Sequence, residues 1–129
     1  MTEESEYILG VNQTELERLE FQNSVWENCT NDFLDKINIK IGSKCLDVGA
    51  GPGFVSMNLS KRVGVEGEVT ALEPSGFYLY YFRDLCNKNN LNNVKFIQGI
   101  AEESELEKEY YDLIYLRWVI DFVTEPDEL

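Results

Sequence analysis

The run Leu46-Asp47-Val48-Gly49-Ala50-Gly51-Pro52-Gly53-Phe54 constrains this chain more than any other feature. A short apolar segment, Cys45, Leu46 and Val48, delivers an aspartate to a loop with glycine at every second position. Val55, Leu59 and Val63 then mark one face of a helix. The pattern reads as strand, tight loop, helix. Glycines there let the backbone turn sharply and approach a ligand with no β-carbon in the way. A dinucleotide-binding loop of the form G-x-G-x-x-G would place its third glycine at position 54, where this chain has Phe54, with Gly53 one residue early. The loop is therefore expected to hold something other than a pyrophosphate, the plain alternative being a purely structural turn.

The same unit recurs downstream. After a Gly64 to Gly67 turn, Val69, Ala71 and Leu72 form a second strand that ends at Glu73-Pro74-Ser75. Ser75 can cap a helix whose inward face is Tyr78, Tyr81, Phe82, Leu85 and Cys86. Val94, Phe96 and Ile97 read as a third strand, the charged stretch from Glu102 to Glu109 as a short helix or loop, and Asp112 to Leu116 as a fourth strand, with a helix beginning near Val119. Strands alternating with helices predict an α/β, Rossmann-like parallel sheet with right-handed crossovers, about four strands in the order 3-2-1-4, flanked by helices. Ahead of it, Thr14 and Glu17 fit a capping box, and Leu16, Leu19, Trp26, Cys29, Phe33, Leu34 and Ile37 follow at roughly helical spacing up to Gly42. This predicts an amphipathic helix or broken helical pair. The expected organisation is a helical cap segment over 1–41 and the Rossmann-like domain over 42–129.

In such a sheet the ligand crevice lies beyond the carboxyl ends of the strands, where the chain order reverses. Glu73 stands at the end of the second strand, about 20 residues past the glycine loop, where a carboxylate can accept hydrogen bonds from both hydroxyls of a ribose. Gly99-Ile100-Ala101-Glu102 closes the third strand beside the same crevice, where backbone N–H groups and a carboxylate could read an adenine edge; Glu102 fits a merely solvated charge equally well. Arg117-Trp118 follows the fourth strand and is expected at the floor or mouth of the site, although a tryptophan there fits a core role as well.

Composition narrows the partners. With 11 Lys and Arg against 24 Asp and Glu, the net charge is −13, so nucleic-acid backbones and anionic membranes would be repelled. No stretch approaches the ~18 apolar residues of a membrane span, and Met1 is followed at once by Glu3, Glu4 and Glu6 rather than by a basic-then-apolar leader. A soluble, cytoplasmic protein is expected. The cysteines Cys29, Cys45 and Cys86 are odd in number and widely spaced, and the chain has no histidine. Neither a disulfide framework nor a zinc site is suggested, and no metal is expected.

From Tyr7 to Leu129 these residues resemble the class I S-adenosylmethionine-dependent methyltransferases. Leu46 to Phe54 is similar to the family's first motif, Ala71-Leu72-Glu73-Pro74 to its second, Val94 to Glu102 to its third and Tyr111 to Val119 to its fourth. Tyr7-Ile8-Leu9-Gly10 with Glu17 to Gln22 also resembles the leader helix that covers the cofactor in some small-molecule methyltransferases. The resemblance implies S-adenosyl-L-methionine as cofactor. It implies that Asp47 organises the loop and the cofactor's amino-acid end, that Gly49 and Gly51 pack against the methionyl part, and that Ala50 and Phe54 complete that loop. By the same resemblance Glu73, followed by Pro74, holds the ribose, Ile100 and Ala101 flank adenine, and Leu116 and Arg117 border the methionine moiety. Two departures stand out. Ile100 occupies the place where many relatives carry an adenine-binding aspartate, so that contact falls to Glu102, backbone or water. The family sheet has seven strands, whereas this sequence stops after the fourth, whose exposed edge would suit a partner or a homodimer.

Methyl transfer is a direct displacement that chiefly needs nucleophile, methyl carbon and sulfur held in line, and no side chain stands out as a catalytic base. No Asn/Asp-Pro-Pro-aromatic signature and no Pro-Cys nucleophile follow the fourth strand, so a small-molecule acceptor is the expectation. The alternatives are a truncated, non-catalytic module that binds S-adenosylmethionine or completes another chain, and an NAD-dependent oxidoreductase, against which the misplaced third glycine counts.

Overall fold

A computed structural model describes residues 3–100 and 109–116 of the 129-residue chain, with side chains described from residue 13 onward. The chain divides into two compact units, 1–38 and 39–129.

The first unit is one continuous helix, α1 (Glu3–Ile37). Its start corrects the expected capping box: Thr14 and Glu17 lie well inside the helix. No proline precedes Pro52, and once a helix is nucleated each further residue adds a hydrogen bond, so a capping signal within a propagating helix does not end it. The end differs from expectation too. Asn38 takes the left-handed conformation at φ 58° and donates its N–H to Asp35, closing the helix four residues before Gly42. An exposed Glu15–Arg18 ion pair lies along one side. The expected apolar face is split. Leu16 and Leu34 are buried, while Trp26, Cys29, Phe33 and Ile37 are exposed. Leu16 and Leu34 are separated by about five turns and share one side, and Phe33 is rotated by about 100° from its neighbour Leu34.

The described residues of the second unit form a four-stranded parallel sheet in the order β3-β2-β1-β4, built from β1 (Lys44–Val48), β2 (Glu68–Glu73), β3 (Val94–Gln98) and β4 (Leu113–Leu116). Helix α2 (Phe54–Val63) connects β1 to β2, and α3 (Gly76–Lys88) connects β2 to β3. The central strands β1 and β2 are almost continuously buried, as a parallel sheet covered on both faces requires. Leu46, Val48 and Leu72, with Ile97 and Tyr111 against them, fill one face. Ala71, Phe82 and Cys86 fill the other, joined by Met57, Val94 and Phe96, where the Phe82 and Phe96 rings meet edge to face at 5.3 Å.

Ser75 caps α3 as expected, accepting the N–H of Tyr78 at 3.3 Å. The buried face of α3 is Leu79, Phe82 and Cys86, with Tyr78, Tyr81 and Leu85 only half-buried; Leu79 replaces the tyrosines because residues spaced i, i+3, i+7 share a side. At the amino ends of the strands, Asp112 and Lys44 exchange backbone and side-chain hydrogen bonds at 2.7 and 2.8 Å. Nearby, the Tyr110 hydroxyl donates to Glu68 at 2.6 Å and Lys95 pairs with the same carboxylate at 2.9 Å. These ties fix where β3 and β4 begin. The helix expected near Val119, and most of the Glu102 to Glu109 stretch expected as a short helix or loop, fall outside the described residues.

Candidate functional site

Leu72 ends its run on β2 beside the turn that leaves β1, and its carbonyl accepts the N–H groups of both Gly49 and Ala50, at 2.8 and 3.0 Å. The glycine loop is thereby folded back over the carboxyl end of the sheet. Gly51 and Gly53 sit at φ 57° and 92°, the left-handed region where only glycine is unstrained. At Gly53 the demand is double, because a β-carbon would also collide with the ring of Phe82. At Gly51 a β-carbon would meet nothing within 4 Å: its bare side opens onto free space.

Two carboxylates flank this loop. Asp47 is 3% exposed and accepts the Ser56 hydroxyl at 2.6 Å. Burial pushes its carboxyl up to about 7, and the nearby Glu73 charge adds to the rise while the Ser56 hydrogen bonds oppose it. Glu73 is 7% exposed. One of its oxygens accepts the N–H of Gly51 at 2.8 Å, the other the N–H of Ser75 at 2.8 Å, and its backbone carbonyl accepts the N–H of Gly99 at 3.1 Å.

Of the residues expected at the site, Asp47, Gly49, Ala50, Gly51 and Glu73 are brought together by these bonds at the crevice. Phe54 opens α2, and Pro74 follows Glu73, its carbonyl accepting the Gln98 amide at 3.1 Å. Ile100 follows β3, and Leu116 ends β4, paired in register with Val48. Both are exposed, at 37% and 38%. Ala101, Glu102, Arg117 and Trp118 lie outside the described residues. Among the described residues no cluster of His, Cys, Asp or Glu is placed to hold a metal ion.

Sequence reasoning missed Ser56. It sits on the buried side of α2 with Leu59, Ser60 and Val63, spaced i, i+3, i+4, i+7, and a polar residue on that side was the available signal. It also missed Gln98, whose amide ties the end of β3 to the turn after Glu73.

Chemically, the crevice offers hydrogen-bond acceptors and negative charge around a glycine loop with an open side. That suits a ligand carrying a cationic end and a diol.

Comparison with known proteins places the chain in a family. The chain is 30% identical over 105 residues to a ubiquinone/menaquinone biosynthesis C-methyltransferase of Idiomarina loihiensis, an overlap of 81% of this chain and 41% of that protein. A corresponding enzyme of Vibrio parahaemolyticus is 29% identical over 105 residues, with 39% of its length covered. The chain thus spans about two fifths of the length of these curated relatives. Among solved structures, a SAM-dependent methyltransferase from Aquifex aeolicus superimposes with a TM-score of 0.69 at 29% identity, covering 77% of this chain and 53% of that one. An arsenic(III) S-adenosylmethionine methyltransferase from Chlamydomonas reinhardtii gives 0.58 at 30% identity, covering 68% and 32%. Residues 45–129 match the methyltransferase-domain family, and with the sheet order and glycine loop described above the chain belongs to the class I, Rossmann-like S-adenosylmethionine-dependent methyltransferases.

Proposed function

We propose that these residues form the cofactor-binding portion of an enzyme that transfers a methyl group from S-adenosylmethionine to a small-molecule acceptor. The observation that carries this reading is the pair of buried carboxylates, Asp47 and Glu73, on either side of a glycine loop whose Gly51 faces open space. The residues fit the cofactor. Glu73 has an unused lone pair on each oxygen for the two ribose hydroxyls, and Asp47 supplies negative charge for the cationic amino-acid end. The open side of Gly51 admits the methionyl chain, which Leu116 borders from the end of β4, while Ile100 after β3 flanks the adenine. When bound, S-adenosylmethionine supplies an electrophilic methyl on a positively charged sulfur. This chain's own part is to bind it, hold it in line and keep the charged end paired.

The acceptor is inferred from charge and from relatives. A net charge of −13 disfavours a nucleic-acid substrate, and the curated relatives named above are C-methyltransferases of quinone biosynthesis. A small organic acceptor fits both. Cytoplasmic location is proposed on the same footing: no helix among the described residues is long and apolar enough to cross a membrane. Residues 1–41 are proposed to act as the cap segment of this site, by their resemblance to the family's leader helix.

Calorimetric titration tests the reading. Saturable binding of S-adenosylmethionine, lost in Asp47→Ala and Glu73→Ala, is the expected result. Binding of NAD in its place would overturn it.

A second reading is favoured by one observation. Among the described residues β4 is an outermost strand of the sheet, and its Ile114 is 51% exposed. The chain would then serve as a cofactor-binding module completed along that edge by a second copy or another chain.

A further inference from the structure

Three loops of the crevice converge on one residue. The glycine loop reaches Glu73 through the N–H of Gly51, the turn before α3 reaches it through the N–H of Ser75, and the segment after β3 reaches its backbone carbonyl through the N–H of Gly99. The first two bonds are made to a charged acceptor, which makes them shorter and stronger than bonds between neutral groups. Each uses a different oxygen of the carboxylate.

The Gly51 contact spans 22 residues of sequence. Gly51 is in the left-handed region at φ 57° and has no β-carbon contact to hold it. Glycine is also the residue with the most backbone freedom to lose. Without the Glu73 carboxylate, the described contacts near the crest of the loop are the bonds of Gly49 and Ala50 to Leu72 and of Gly53 to Ala50. Those hold the two ends of the loop and leave Gly51 untied.

We infer that Glu73 is a positioning residue for the glycine loop as well as the acceptor for the ribose hydroxyls, so that it controls affinity for the part of the cofactor that never touches ribose. The inference rests on the S-adenosylmethionine reading given above. An acceptor whose only task is to read a diol loses its value when the ligand has no diol. A clasp does not.

The experiment is a cycle on the full chain with two ligands, S-adenosylhomocysteine and its 2′,3′-dideoxy analogue, each titrated into the unmodified protein, Glu73→Ala and Glu73→Gln. The amide spectrum of the ligand-free proteins is recorded alongside. The expected result is that Glu73→Ala weakens the dideoxy analogue roughly tenfold or more, as loss of a charge-assisted bond implies, and weakens S-adenosylhomocysteine further still. Glu73→Gln keeps the side chain's size and one acceptor oxygen. It should therefore fall between the unmodified protein and Glu73→Ala, whereas Glu73→Ala should shift the Gly51 amide proton upfield and speed its exchange even with no ligand present, a signature that a ribose contact alone cannot produce. An unchanged Gly51 amide in Glu73→Ala, with the penalty confined to the diol-bearing ligand, would overturn the clasp and leave Glu73 a reader of hydroxyls. No binding of S-adenosylhomocysteine by the unmodified chain would overturn the cofactor reading instead, while the Gly51 amide would still decide whether the clasp exists.

Discussion

A buried aspartate that titrates near neutrality couples this site to pH in two opposite ways. Asp47 is lifted from 3.8 to about 7, first by burial and then by the neighbouring Glu73 charge, against the pull of Ser56. Because the folded state holds this proton more tightly than the unfolded chain, its contribution to stability is full below about pH 4 and is lost as pH rises through 7. The loss is on the order of a few kcal/mol. A cationic ligand has the reverse preference, since it needs the carboxylate ionised. S-Adenosylmethionine should therefore bind more tightly as pH rises across 7, releasing about one proton below that point, which calorimetry in buffers of different ionisation enthalpy would detect. Asp47→Asn removes both effects. At pH 8 it should melt roughly 5 °C or more above the unmodified chain, bind the cofactor weakly, and show no pH dependence of either property in this window. Equal melting temperatures at pH 5 and pH 8 for both proteins would show that Asp47 is not held at an elevated pKa. Asp47 and Glu73 were legible because each stands at a strand end in a fixed relation to the glycines. Their partners were not. Ser56 is signalled in sequence only by its place on the apolar side of α2, and the bond from Gly51 to Glu73 exists only once β1 and β2 are side by side.

Among the elements, the three cysteines report on how well each one is packed. Cys45 on β1 and Cys86 on α3 are buried, and burial raises both thiols to about 11, with the charges of Asp112 and Asp47 adding to the effect at Cys45. Cys29 on α1 is exposed. Since the thiolate is the reactive form, a disulfide-exchange reagent at pH 8 should titrate one thiol in the folded protein and three in denaturant, and Cys29→Ser should abolish the fast one. Rapid modification of Cys45 or Cys86 in the native state would mean that β1 or α3 opens readily. The same contrast shows where sequence patterns succeed. Runs such as Val69 to Leu72 are read easily, because a strand covered on both faces must be apolar at nearly every position. A single 35-residue helix is harder to divide into sides: its apolar residues drift around the axis, and only the fold decides that Leu16 and Leu34 are buried while Trp26 and Phe33 are exposed.

For the molecule as a whole, the open question is the outer edge of β4. Its inner edge pairs with β1 over four residues, from Cys45 with Leu113 to Val48 with Leu116, and Tyr115 is buried. Ile114 and Leu116 alternate with it and are 51% and 38% exposed. An apolar strand at the edge of a sheet is a template for another strand. The chain's charge of −13 opposes close approach of two copies, and that repulsion is screened within about 10 Å at 0.1 M salt. If copies pair along this edge, sedimentation at tens of micromolar should give a mass above 14.9 kDa, increasing with protein concentration and with added salt. Ile114→Lys places a charge on the strand and should restore 14.9 kDa while leaving S-adenosylmethionine binding unchanged, since Ile114 lies two residues short of the crevice end of the strand. A mass of 14.9 kDa at every concentration and salt would instead show that a second copy does not cover this edge.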